Sequence, residues 1–161
     1  MTYSPTPTGK NLRVAIASDH NGVKMKAALV ALLESEGHIT EDLGSHGTEV
    51  VDYPILCAKI GKRLTNKEAD RGIMIGGSGM GETIACNKLP GIRAGLCGDM
   101  FQVGISRGNN DSNVLVLGAK VLSDEQAKGL ALAWMTTDFN GGVHQQRLEQ
   151  IARLEAGEDL A

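Results

Sequence analysis

The sequence predicts an α/β protein of three αβα layers, with helices on both faces of a doubly wound, Rossmann-like, five-stranded parallel sheet. Three observations lead there. Short aliphatic runs alternate with helical patterns from one end of the chain to the other. The runs end in clusters of Gly, Ser, Asp or Asn, as strands do where they turn into helices. Aromatic residues make up only 3% of the chain while Gly reaches 21 of 161 residues, a composition suited to aliphatic strands joined by tight turns.

Taken in order, residues 12–18 form an apolar run that stops at Asp19-His20-Asn21-Gly22, and 23–36 then carries Met25, Leu29, Leu32 and Leu33 at helical spacing until Gly37. Residues 38–43 read as a weaker strand. Asp52-Tyr53-Pro54 opens a helix to about Lys67, with Pro54 fitting its first turn. Residues 72–75 form a third strand that breaks into glycines, and 82–88 a short helix. Pro90-Gly91 interrupts, 92–96 is a fourth strand, 99–107 a helix and 114–117 a fifth strand. Ser123 caps a helix to about Thr136, with Asp124 and Glu125 in its first turn. After Asn140-Gly141-Gly142, residues 144–155 repeat Leu148, Ile151 and Leu154 on one side of a last helix. Residues 1–11, rich in Thr, Pro and Ser, read as a disordered tail, and 12–161 as a single domain.

The 42% hydrophobic and 22% charged content is that of a globular domain. A net charge of −3 gives no electrostatic case for nucleic acid or an anionic membrane. No apolar stretch approaches the ~18 residues of a spanning helix, and no apolar signal core is present, so a cytoplasmic location is expected. Cys57, Cys86 and Cys97 lack redox or metal spacing, and His20, His38, His46 and His144 lack zinc spacing. No metal and no cofactor are expected.

The chemistry concentrates in Gly76-Gly77-Ser78-Gly79-Met80-Gly81-Glu82. It is neither a P-loop nor a Gly-x-Gly-x-x-Gly fingerprint. A buried strand breaking into glycines frees backbone N–H groups to converge on an anion, and the following helix adds its positive end. Glu82 would repel a ligand that arrives as phosphate. It fits an anion that the carboxylate itself creates by removing a proton, as in enolisation beside a carbonyl. In that reading Glu82 is the base, the amides of Gly77, Gly79 and Gly81 hold the developing oxyanion, and Ser78 bonds a substrate oxygen. A carboxylate at a helix N-terminus has its pKa lowered, so an effective base is expected to need desolvation by the substrate. Lys120, His144 and Arg147 are cations available for a phosphate. Ligands of parallel sheets sit at the carboxyl ends of strands, which places Asp19 and His20, the glycine cradle and Gly98-Asp99 on one rim. Asp19 also fits a plain helix cap, and Lys120 and Arg147 plain solvated charges.

From Leu12 to about Glu155 the chain resembles the family of type B ribose-5-phosphate isomerases and galactose-6-phosphate isomerase subunits. The resemblance rests on Ser18-Asp19-His20-Asn21-Gly22 with Lys26, Asp52-Tyr53-Pro54, Gly76 to Glu82, Ala85 with Asn87-Lys88, Pro90-Gly91-Ile92-Arg93-Ala94, Ser106-Arg107, Asn110-Asp111, and Gly141-Gly142 with His144-Gln145-Gln146-Arg147. It implies a metal-free aldose–ketose isomerase working on a small sugar phosphate through a cis-enediolate. It also implies a homodimer, or a dimer of dimers, whose sites combine residues of two subunits. In one branch of the family the base is a cysteine at the end of the third strand, where this chain has Gly76; in the other it is the glutamate matched by Glu82. Ser78 then assists proton transfer, Asp19 binds a hydroxyl and His20 contacts phosphate or aids ring opening. Tyr53, Asn109 and Asn110 complete the substrate-binding set, the two asparagines by reaching a partner's cradle.

Three positions depart from the family pattern. Asn109 replaces its ring-opening histidine, Lys120 replaces a phosphate arginine, and Val143 replaces the first arginine of the last helix, leaving Arg147. Asparagine cannot exchange a proton near neutrality as imidazole does, and lysine loses the two-pronged phosphate contact of arginine. A tetrose or tetrulose phosphate, with no ring to open, therefore joins ribose 5-phosphate as an expected substrate. A six-carbon sugar phosphate and a silent sugar-phosphate-binding module are the alternatives.

Overall fold

The computed structural model describes residues 5, 6, 8, 9 and 11–161. The elements run β1 (Arg13–Ser18), α1 (Val23–Ser35), β2 (Ile39–Asp42), α2 (Tyr53–Thr65), β3 (Arg71–Gly76), α3 (Met80–Cys86), β4 (Ala94–Leu96), α4 (Met100–Gly108), β5 (Val114–Gly118), α5 (Asp124–Thr136) and α6 (Val143–Glu155). All strand pairings are parallel and the order is β2-β1-β3-β5-β4. The chain leaves β1 toward one side of the sheet and β3 toward the other, so the strand order reverses between β1 and β3, where such sheets place their ligand crevice.

The two-residue period of the strands sorts their side chains. Ile73 and Ile75 of β3 and Leu115 and Leu117 of β5 join Met25, Leu29, Leu33, Val103, Leu130 and Trp134 beneath α1, α4 and α5. Met74, Val114 and Val116 face Leu56, Cys57, Ile60 and Cys86 of α2 and α3. Gly76 shares the parity of Met74 and therefore opens toward α3.

The differences from the sequence reading are at element ends. Strand β4 is only three residues long, because the N–H of Ile92 closes a turn onto Leu89 O and that of Arg93 bonds Asn113 Oδ1 instead of a strand neighbour. Helix α3 begins two residues early, at Met80, because Gly79 takes a φ of 81° that lets the chain turn straight into it. Ser123 and Gln126 form a reciprocal capping box on α5. Asp19 does not cap α1: its carboxylate accepts from the backbone N–H and the side-chain Nδ2 of Asn21, at 2.8 and 2.9 Å, and so fixes the turn itself.

Of the segment read as a tail, residues 1–4, 7 and 10 lie outside the described residues. Thr6 and Thr8, within it, hydrogen-bond to Asp111 and Asp138 on the body. Among the described residues no helix is long and apolar enough to cross a membrane.

Candidate active site

At the carboxyl edge of the sheet β1, β3 and β5 end side by side. Ser18 pairs with Ile75, Gly76 pairs with Gly118, and the N–H of Asp19 bonds Ile75 O at 2.9 Å. The N–H groups of Ala119 and Lys120 bond the carbonyls of Gly76 and Gly77 at 2.8 and 2.9 Å, locking the turn after β5 onto the cradle. A Cβ at Gly118 would collide with the Ser78 backbone, so this approach requires glycine. Residues 77–81 then open the first turn of α3, where a helix leaves its N–H groups without internal partners. That of Met80 is taken by Ser78 Oγ at 3.2 Å.

Glu82 stands third in α3 and is only 4% exposed. Its carboxyl group lies directly against Gly76, so closely that a Cβ on residue 76 would overlap it. Burial pushes the Glu82 pKa above the usual carboxylate range and the charge of nearby Asp19 pushes it the same way, against the lowering by its own backbone N–H. The desolvation expected from substrate binding is thus already built in. Beneath it the Cys57 thiol donates to Glu82 O at 3.7 Å.

Tyr53, the first residue of α2, brings its hydroxyl against Gly81, where a Cβ would again collide. The side chain of Lys120 passes over Gly77, and His20 Nε2 lies 3.3 Å from Asn21 Nδ2 while its Nδ1 is buried without a hydrogen-bond partner. One chain therefore brings together Asp19, His20, Tyr53, Gly77, Ser78, Gly79, Gly81, Glu82 and Lys120. Asp99, at the same edge, is the N-cap of α4, accepting from the N–H of Gln102 at 2.8 Å.

The remaining four residues lie elsewhere. Asn109 and Asn110 follow α4, and Asn113 just beyond them bonds Arg93 O and Gly72 N–H where β4 and β3 begin. They are thus at the amino edge, with about 13 Å of β5 between the two edges at ~3.3 Å per residue. Asn140 ties its N–H to Gly108 O and its Nδ2 to Asn109 Oδ1, so α6, with His144 and Arg147, also starts from that edge. Its other end is fixed by Glu155 Oε1, which accepts from the Gly91 N–H.

Two supporting residues escaped assignment from sequence. Lys26 is 2% exposed and its ammonium donates to Asp42 Oδ1 and Ser45 O, both at 2.5 Å, pinning the loop after β2 beneath the Asp19 turn. Its signal was a charge inside the apolar stripe of α1, between Met25 and Leu29. Asn21, holding the Asp19 carboxylate, was marked only by its place in the turn and in the motif that carries the family resemblance.

The chain is similar to known proteins along most of its length. Residues 14–151 match the family model described as Ribose/Galactose Isomerase. Ribose-5-phosphate isomerase B of Escherichia coli is 38% identical over 143 residues, covering 89% of this chain and 96% of that protein. The structure of Clostridium thermocellum ribose-5-phosphate isomerase B superposes with a TM-score of 0.89 at 38% identity, covering 91% of this chain and 99% of that one. That of the Mycoplasma genitalium enzyme with bound ribulose-5-phosphate gives 0.88 at 28% identity over 93% of this chain and all of the other. With the fold, the doubly wound sheet and the similarity running along nearly the whole chain, the protein belongs to the ribose/galactose isomerase family and is an aldose–ketose isomerase of sugar phosphates.

Proposed function

We propose that the protein interconverts ribose 5-phosphate and ribulose 5-phosphate, or a tetrose and tetrulose phosphate, with Glu82 as the base that carries a proton between adjacent carbons. The observation that carries this reading is the buried Glu82 carboxyl group seated against Gly76, with its pKa raised toward the range a general base needs. Glu82 removes the proton from the carbon beside the carbonyl, and the electron pair moves onto the carbonyl oxygen to give a cis-enediolate. The amides of Gly77, Gly79 and Gly81 hold that oxygen and Ser78 shares a proton with it. Glu82 returns its proton to the carbon that bore the carbonyl, while Ser78 takes the proton of the adjacent hydroxyl and passes its own to the first oxygen, so that the carbonyl re-forms one carbon along. Asp19 and Tyr53 hold sugar hydroxyls, and His20 and Lys120 stand at the rim for the phosphate or the ring oxygen. The ligand named for the Mycoplasma genitalium structure, ribulose-5-phosphate, is of this class.

The site is completed by a second copy of the chain. Asn109, Asn110, His144 and Arg147 are a strand's length from their own cradle, beyond hydrogen-bonding reach. Beside them the β4 edge carries an open groove of about 810 Å³ lined by Phe101, Ile105, Leu148, Ile151 and Leu154. Phe101 is 76% exposed and Ile84, on α3 at the opposite face of the β4 edge, 63%, apolar side chains that fit burial against a partner subunit. A homodimer, alone or paired, supplies that burial.

Subunit mixing tests both parts. Glu82→Gln and Arg147→Ala proteins, each weak alone, are expected on co-refolding to regain about a quarter of the wild-type activity, since half of the random dimers hold one intact site. Failure of the mixture to exceed its parents would place the whole site within one chain.

A further inference from the structure

Thr6 and Thr8 precede the residues 14–151 that the family model matches, yet both end on carboxylates of the amino edge. Thr6 donates its backbone N–H and its hydroxyl to Asp111 Oδ2, at 2.7 and 3.0 Å. The Thr8 hydroxyl donates to Asp138 Oδ1. Asp111 is fully buried, holds a left-handed φ of 41°, and gives its other oxygen to Arg107 at 2.6 Å. Such a backbone state persists in a non-glycine residue only when its surroundings fix it.

The two anchors are the segments that carry the far-edge residues. Asp111 directly follows Asn109 and Asn110. Asp138 lies in the connector from α5 to α6, which delivers His144 and Arg147, and Asn140 of that connector is bonded to Gly108 and Asn109. We infer that Thr6 and Thr8 form a strap and act as positioning residues, holding turn and connector in the arrangement that meets a second copy's cradle. The inference rests on the shared-site reading above. Thr6 carries the larger share, because its hydrogen bonds reach a buried carboxylate while Thr8 and Asp138 meet in solvent. Prolines at positions 5 and 7 of the sequence narrow the states open to the free segment and lower the entropy lost on docking.

The test compares the intact protein with a Thr6→Val, Thr8→Val double variant, its Thr6→Ser, Thr8→Ser counterpart, and deletion of residues 1–9. Hydrogen exchange of residues 109–111 and 138–142 is expected to speed up in the valine variant and the deletion. KM for the sugar phosphate is expected to rise by about 3–10-fold, the effect of roughly one lost hydrogen bond of ordinary net strength, with kcat changed less. The serine pair, which keeps both hydroxyls, is expected to restore KM, which a mere loss of chain packing would not do. Unchanged exchange in the deletion would overturn the strap whatever the substrate data show. Faster exchange with unchanged KM, while Asn110→Ala raises KM, would overturn its role in positioning. Faster exchange with an Asn110→Ala protein of normal KM would instead refute the shared site, and with it the route by which the strap acts.

Discussion

The two edges of the sheet are built in opposite ways. The carboxyl edge is made largely of backbone: four glycines, the turn after β5 and the start of α3 surround the buried carboxyl group of Glu82, with that of Asp19 nearby. The amino edge is made of charged side chains. Arg71 and Arg107, both buried, lie with their guanidinium carbons 4.8 and 5.6 Å from the Trp134 ring centroid, and Arg107 is paired with Asp111. Burial, with the like charge of Arg107, brings the Arg71 pKa down to about 9. Trp134 Nε1 donates to Ser112 Oγ at 3.0 Å, and the Ser106 and Ser112 hydroxyls bond each other. With no Cβ, the glycines let other groups approach their backbone closely. The ion network instead fixes a turn whose exposed residue, Asn110, faces outward. On the proposed function, the glycine-built edge carries the chemistry and the braced edge presents Asn110 to a second copy of the chain.

The sharpest way to break this contrast is at the base. Glu82→Gln fills the same space but accepts no proton, and kcat is expected to fall ~10²–10⁴-fold with KM little changed. Near-normal turnover would move the base to another residue. The same variant has a stability signature. The folded pKa of Glu82 is raised above its unfolded value, so the native state holds the extra proton and wild-type stability falls as pH rises through that interval. Glu82→Gln is therefore expected to melt at a higher temperature than wild type at neutral pH, with the gap closing as pH drops below the ordinary carboxylate range.

Gly76→Ala probes the backbone side of the contrast. The added Cβ has nowhere to go but the space of the Glu82 carboxylate, and kcat/KM is expected to fall by ~10²-fold, the cost of misplacing a reacting group by about 1 Å. A side chain at position 76 and the Glu82 carboxylate as placed would occupy the same space, so one of them must shift. Activity equal to wild type would mean that Glu82 works from a different position.

At the amino edge Asp111→Asn leaves Arg107 buried without its counter-charge, and denaturant unfolding is expected to show a loss of about 3–5 kcal/mol. If catalysis fell in the folded variant at saturating substrate as steeply as in Glu82→Gln, the division of labour between the edges would fail. The smallest expected effect is that of Asn109→His. If asparagine reflects an open-chain substrate, the wild type turns over a four-carbon sugar phosphate with higher kcat/KM than ribose 5-phosphate, and the added imidazole improves the pentose phosphate more than the tetrose phosphate. Equal gains, or a wild type already fastest on ribose 5-phosphate, would detach Asn109 from substrate length.

The sequence by itself determined what is local. Strands, helices and their alternation follow from the spacing of aliphatic residues, and residues 76–82 announce a cradle because glycine sterics act within a few residues. The Ser123 cap of α5 and the turn at Asp19 belong to the same range. Parallel βα units then bring Asp19, Gly76 and Lys120 to one edge, since successive strands point the same way. Tertiary structure alone decided the rest. It buried Lys26 in a helix stripe, desolvated Glu82 before any substrate arrives, stacked Arg71 and Arg107 on Trp134 across 63 and 27 positions of sequence, and drew Thr6 onto Asp111. Those outcomes depend on which distant groups share a dry volume, and the free energy of a buried charge is set by its neighbours in space, not by its neighbours in the chain.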